Sequence, residues 1–173
     1  MTFNPEGFAD MKDKYFLLNG RSYPDTIGVP DYAGLGSSPN NIDATTHAMS
    51  TEGTDGMMRP SQPLPTLITL HQGQRALLRI ADLDVTEYQT LASLGIPMQL
   101  IAHNAKLLRD QAGNNLYVTT NSITLAGGES LDVILDSTGI PTGTYFLYTP
   151  NLDHLSNDAE NFGGLMTEIQ VIQ

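Results

Sequence analysis

The sequence predicts an all-β chain, an antiparallel sandwich or barrel, and three observations carry that prediction. Apolar residues recur with the short period of strands in almost every segment. Turn-forming clusters such as QAGNN, AGGES and IPTG separate those segments. The 173 residues suffice for one domain with a core that needs no cross-links.

Taken in order, YFLLN (15–19) is the first expected strand. Asn19-Gly20-Arg21 should turn the chain out of it, with glycine permitting the bend and Arg21 suited to a bidentate tie to a carboxylate such as Asp25. Residues 1–14 read as a linker ahead of a domain spanning 15–173. Residues 28–65, GVPDYAGLGSSPNNIDATTHAMSTEGTDGMMRPSQPLP, are dense in Gly, Pro, Ser and Asn and show no sustained period. They read as a long irregular loop inserted in the domain, too poor in apolar residues to form a separate core. The next expected strands are TLITL (66–70), RALLRIA (75–81), MQLIAH (98–103), LYVTT (116–120) and ITL (123–125). SLDVILD (130–136), TYFLYT (144–149) and LMTEIQVI (165–172) complete the set. In SLDVILD, Leu131, Val133 and Leu135 should share one face, with Ile134 interrupting the polar alternation of the other. VTEYQTLASLG (85–95) is the one segment that suits a helical turn or two. Gly163-Gly164 allow a sharp turn into the last strand.

Composition excludes several functions. Eight Lys and Arg against 19 Asp and Glu give a net charge of -11, which repels phosphate backbones and anionic lipid. Nucleic acid and membrane are therefore not expected partners. Without cysteine there is no disulfide, thiolate nucleophile or cysteine-built metal site. No apolar stretch approaches the roughly 18–20 residues of a membrane span, and the first residues lack the apolar core of a signal peptide. The Gly-x-Ser-x-Gly, Gly-x-x-x-x-Gly-Lys, His-Glu-x-x-His and dinucleotide-binding patterns are all missing. GLGSS (34–38) lacks the lysine that phosphate binding requires. A Ser, His and Asp assembled from distant loops is left open by sequence.

The strands, taken together, carry a resemblance. YFLLNGRSYPDT (15–26), TLHQGQRALLRIAD (69–82), LASLGIPMQLIAHNAKLL (91–108), ITLAGGESLDVILD (123–136) and GTYFLYT (143–149) resemble, in order and spacing, the cupredoxin domain of a multicopper oxidase. The likeness is to the middle domain of the three-domain enzymes, and it covers nearly all of the chain outside 28–65. It implies a two-sheet Greek-key sandwich of cupredoxin type. In copper-bearing domains of the family one strand reads His-x-His-Gly-His-x-Phe-x-Val-Ile-Ala. Registered on Gly95 and Leu100-Ile101-Ala102, its histidine positions fall on Ala92, Leu94 and Ile96, which offer copper no lone pair. The family's His-Cys-His-x-x-x-His motif falls on Tyr148, Thr149 and Pro150, leaving His154 at its last position. A blue-copper centre needs the cysteine thiolate, and Thr149 stands there instead.

The resemblance thus implies a copper-free, non-catalytic domain that acts as a scaffold beside neighbouring cupredoxin domains, with copper held by the parent enzyme and none in this chain. The parent would couple oxidation of a phenol or metal ion to reduction of dioxygen to water, in the periplasm or outside the cell. No catalytic or cofactor-binding residue is assigned. The residues weighed as metal ligands are His154, Asp153 and His47. His154 and Asp153 lie in NLDHLSNDAE with Asp158 and Glu160, where the competing role of His154 is a hydrogen-bond partner that ties the loop down. His47 lies near Met49, Met57 and Met58, a soft-donor set suited to Cu(I), although such methionines also fill apolar gaps. His71 and His103 read as polar residues at strand ends, and His103-Asn104-Ala105 as altered turn chemistry. The acidic residues Asp43, Glu52, Asp55, Asp153, Asp158 and Glu160 are suited to attracting a cationic substrate. The rivals are a small metal carrier using His47, His154 and the acidic loops, or an autonomous sandwich that binds a protein or carbohydrate. Self-association of the isolated domain is left open.

Overall fold

The computed structural model describes residues 12–24, 26–27, 65–157 and 164–173, with the backbone of 50–52 and 58–60. Within the 28–65 insertion, β1 (Ser50–Glu52) and β2 (Met58–Pro60) form an antiparallel ribbon. The other strands are β3 (Ile68–His71), β4 (Arg75–Ala81), β5 (Gln89–Leu94), β6 (Met98–His103), β7 (Lys106–Leu107) and β8 (Val118–Thr120). They continue with β9 (Ser122–Leu125), β10 (Ser130–Asp136), β11 (Gly143–Tyr148) and β12 (Met166–Ile172).

Ten of these build two five-stranded sheets. One runs β4-β10-β6-β7 with β8 also on β6, and the other runs β3-β12-β11-β5-β9. All pairings are antiparallel except β3 with β12, which run parallel. The core lies between the sheets, because strands of both present alternate apolar side chains inward. In β10 these are Leu131, Val133 and Leu135, and in β12 Ile169 and Val171. Leu70, Leu91, Met98, Ile123, Leu125 and Leu147 complete the inner layer. The expected facing of SLDVILD is observed, with Ile134 half-buried on the other face beside Leu77 of β4.

Two expectations are corrected. The segment 85–95 forms no helical turn; its second half is β5, paired with β11 on one side and β9 on the other. Leu91 and Ser93 point inward there, and the Ser93 hydroxyl donates to the Ile96 carbonyl, so a polar residue hides the alternation. YFLLN is not a strand either. The Phe16 N–H donates to the Asn157 side chain at 3.1 Å rather than to a ladder, and the chain then doubles back on itself. Asn19 and Gly20 both have positive φ (51° and 79°), and Leu18 and Arg21 exchange backbone hydrogen bonds across that tight turn. Arg21 is buried, while Asp25 lies outside the described residues.

LASLGIPMQLIA, which the register on the copper-bearing domains treats as one strand, is two. β5 lies in one sheet and β6 in the other, with Gly95-Ile96-Pro97 at the corner. The facing run bends in the same way, β8 pairing with β6 and β9 with β5 on either side of Asn121. A single bent hairpin therefore spans both sheets. Its corner needs glycine: Gly95 has φ 91°, and a Cβ there would sit 2.6 Å from the Tyr145 ring. That ring is held by the Tyr145 hydroxyl donating to the Pro141 carbonyl at 2.8 Å. The β6–β7 turn makes the opposite choice, with Asn104 and Ala105 both at positive φ (48° and 61°).

Two substitutions test this reading by urea denaturation. Gly95→Ala is expected to cost about 2 kcal/mol, from the strained backbone and the ring contact together. Ala105→Gly is expected to gain about 1 kcal/mol, because it removes a Cβ from the left-handed region.

Candidate functional site

One end of the sandwich gathers polar side chains from distant parts of the chain. After β11, Asn151 starts a 3₁₀ turn, Leu152–Leu155, and its Oδ1 accepts the Asp153 N–H at 3.2 Å. This cap projects His154 inward, where it is only 3% exposed. The imidazole stacks on Phe16, with centroids 4.0 Å apart and planes 13° from parallel. Gly164 closes the turn from behind: a Cβ there would stand 2.3 Å from the His154 carbonyl, and the Leu165 N–H donates to that carbonyl at 2.9 Å.

The hydrogen bonds fix the ring's proton. Gln89 Nε2 donates to Asp84 Oδ2 at 2.6 Å, so Gln89 Oε1 faces His154 Nδ1 at 3.0 Å and accepts its proton. His154 Nε2 meets Asn151 Nδ2 and Glu87 Oε2, each at 2.9 Å. Asn151 Oδ1 is already committed to its own cap, so the amide nitrogen is what Nε2 meets. A neutral ring accepts there from Asn151, whereas a second proton would be donated to Glu87.

Beyond Gln89 the 82–88 loop folds around Asp84. Its Oδ1 accepts from the Val85 and Thr86 N–H groups, an Asx turn in which the side chain organises its own loop. Burial alone would raise the Asp84 carboxyl. Hydrogen bonding with the Thr86 N–H, the Gln89 amide, the Asp13 side chain and the Val85 N–H outweighs it and holds the group at about 2. Asp13 takes a hydrogen bond from the Thr86 hydroxyl, which lowers its pKa, yet burial and the charges of Asp84 and Glu87 push it above its ordinary value. Asp82 is buried, and that burial raises its carboxyl, against the pull of one Asp84 N–H. The other Asp82 oxygen, Oδ2, has no hydrogen-bond partner.

The residues singled out from sequence fall as follows. His154 is the hydrogen-bond partner that ties its loop down, and it does so through Gln89, Asn151 and Glu87. Asp153 is exposed; Asp158 and Glu160 lie outside the described residues, as do His47, Met49, Met57 and the side chain of Met58. No group of three or more His, Asp and Glu suited to a metal ion occurs among the described residues. His71 Nδ1 meets the Gln173 carbonyl, and His103 Nε2 lies 3.3 Å from Glu129 at an exposed strand end. Of the positions registered on copper ligands, Ile96 and Thr149 are fully buried, Ala92 is half-buried and Leu94 is exposed. Phe16, Glu87 and Gln89 escaped sequence reasoning, since nothing local marks them. Asn151 had a signal in the Asn-x-Asp-His spacing of a capped turn.

Two facing sheets joined by a bent hairpin, with a parallel closing pair, make this a cupredoxin-like fold. It is the fold of multicopper oxidase domains. Among solved structures the chain is similar to a multicopper oxidase named mgLAC (15% identity, TM-score 0.52, covering 71% of this chain and 41% of that one). It is also similar to the blue copper oxidase of Nitrosomonas europaea (21%, 0.47, 60% and 30%). A third is the multicopper oxidase of Campylobacter jejuni, described as a metallo-oxidase (14%, 0.47, 61% and 20%). At these identities the likeness is one of fold, and the chain spans less than half the length of each. No family model and no curated protein matches the chain. No helix among the described residues is long and apolar enough to cross a membrane.

Two measurements bear on the site. His154→Ala removes a buried ring and strands two amides, so it is expected to cost about 3 kcal/mol in urea denaturation, whereas the exposed Asp153→Ala should stay within about 0.5 kcal/mol. Asp84 is depressed from an unfolded value near 3.9, so its stabilisation is complete above about pH 4 and lost as pH falls through about 2. Asp84→Asn should therefore melt earlier than the parent chain at pH 6, with the gap closing by pH 2. Asp13 carries the opposite sign, and comparing the pH profiles of Asp84→Asn and Asp13→Asn separates the two groups.

Proposed function

We propose that this chain is a copper-free cupredoxin domain of a multicopper-oxidase-like protein, equivalent to a middle domain, and that its work is to hold sister domains in register. What carries the reading is the side chain at the position registered on the copper thiolate. Thr149 is fully buried there, its N–H donates to the Leu165 carbonyl at 2.9 Å, and its hydroxyl accepts the Asn151 N–H. A hydroxyl built into the core in this way is a structural group, not a soft ligand. Of the three positions registered on the family's histidines, Ile96 has no exposed surface. In the longer protein, copper bound by sister domains supplies the one-electron chemistry, and the natural setting is periplasmic or extracellular. This chain contributes distance and shape.

The engagement of both His154 ring nitrogens with protein groups supports the scaffold over a metal carrier. A ligand would have to give up Gln89, or Asn151 and Glu87, to reach copper. The test is metal content by mass spectrometry on chain purified without affinity metals, followed by titration with Cu(II), Cu(I) and Mn(II). Retention below roughly 0.1 equivalent, with no tight site on titration, is the expected result. One tightly held equivalent that disappears in His154→Ala would overturn the proposal and make the chain a carrier.

A further inference from the structure

Away from the His154 end, the sandwich presents a second patterned surface, the outer face of β4 and β10. Directly opposite residues of an antiparallel pair point to the same face, so the alternation that sends Leu131, Val133 and Leu135 inward sends Asp132, Ile134 and Asp136 outward. Their partners on β4 are, in that order, Arg79, Leu77 and Arg75. The face is therefore three rows: an arginine beside an aspartate, Leu77 beside Ile134, and a second arginine beside a second aspartate. Leu77 is 48% exposed, Ile134 is half-buried and both arginines are exposed.

The four charges balance, although the chain as a whole carries -11 and has only eight Lys and Arg. Thr138, through its hydroxyl and its N–H, and then the Arg75 charge hold the Asp136 carboxyl below its ordinary value, so it is ionised at neutral pH. β4 is the edge of its sheet, and charges on an edge strand discourage edge-to-edge pairing. That role accounts for the arginines. It does not account for an apolar row between them, or for an aspartate opposite each.

We propose that this face binds a second copy of this chain, in a dimer whose twofold axis runs along the strands between β4 and β10. That rotation lays each β4 over the other copy's β10 at the same level. Arg75 then meets Asp136 of the partner subunit, Arg79 meets Asp132 of the partner subunit, and Leu77 packs on Ile134 of the partner subunit, each contact occurring twice by symmetry. A twofold axis across the strands would set arginine on arginine and aspartate on aspartate, so charge selects one orientation. Packed sheets cross at about 30°, which displaces the outer rows by only about 3 Å, within the reach of an arginine. A cationic or an anionic partner gains from half of the pattern and loses to the other half, whereas the same face turned over gains from both. The dimer goes beyond the scaffold role and depends on no copper.

Sedimentation velocity on the full chain, over a concentration series reaching about 1 mM, tests this. Two short strands make a small interface, so a weak dimer is expected, half-formed at roughly 0.1 mM. Arg75→Asp/Arg79→Asp and Asp132→Arg/Asp136→Arg each set like charges face to face and should weaken self-association at least about ten-fold. Mixed in equal amounts, the two variants restore both sets of pairs, and their heterodimer should match the parent within about three-fold. Like charges also fall side by side within each variant, so circular dichroism checks that both fold. Leu77→Glu, at an exposed position, should remove the dimer without that repulsion, and the fourfold exchange, which keeps every pair opposite in sign, should retain it. A chain that stays monomeric at the highest concentration would overturn the proposal and leave the face to another domain. So would undiminished self-association of Leu77→Glu or of either folded charge variant, folded variants that fail to associate when mixed, or a folded fourfold exchange that no longer dimerises.

Discussion

Everything in this fold leans on two seven-residue strands with the same burial rhythm. β10 and β12 each alternate half-buried and buried positions and end exposed. β10 is gripped by β4 and β6, while β12 is gripped by β11 and, in parallel, by β3. Because each is flanked on both sides, its backbone groups are satisfied within the sheet, and its inward side chains are free to do nothing but pack. Leu135, Val133, Ile169 and Val171 are at or near zero exposure, each worth about 2 kcal/mol of burial. The parallel β3–β12 pair brings the first and last strands of the sandwich side by side, so β4 to β11 lie between them in sequence.

A sandwich closed along its seam is still open at its ends, where loops must cover the core. At one end the bent β5–β6 and β8–β9 hairpin does this with backbone alone, turning at Gly95 against Tyr145. At the other, side chains take over. Asp84 shapes the 82–88 loop, Gln89 joins it to His154, and His154 joins the turn after β11 to Phe16 of the N-terminal segment. Asn157 then fixes the Phe16 N–H. One buried imidazole thus ties three remote segments.

Most strands were legible because short apolar runs stand between clear turn signals. RALLRIA, MQLIAH and SLDVILD are strands over the very residues that the sequence marks. β5 was not, because its inward positions are Leu91 and Ser93, and the serine is satisfied by the Ile96 carbonyl. That satisfaction is invisible before the chain bends. YFLLN failed in the other direction: an apolar run suggested a ladder, but Phe16 is buried against a histidine rather than in a sheet. At the site, His154 was legible as a residue and its partners were not. Gln89 and Glu87 lie 65 and 67 positions away, and only the folded topology lays the loop after β4 beside the turn after β11.

Asp82 and Asp84 belong to the same end of the molecule as the His154 network. They are two residues apart on one loop, yet their carboxyls move in opposite directions, Asp84 down and Asp82 up. The difference is the supply of donors. Asp84 receives two backbone N–H groups and the Gln89 amide, so its charge is held by the protein. Asp82 receives one, from the Asp84 N–H, and its other oxygen is buried without a partner. A loop built only to cap a core would gain by satisfying both, and an asparagine or a shifted turn would suffice. The fold instead fixes one saturated carboxylate that organises the His154 network and, two residues away, one unsaturated carboxylate.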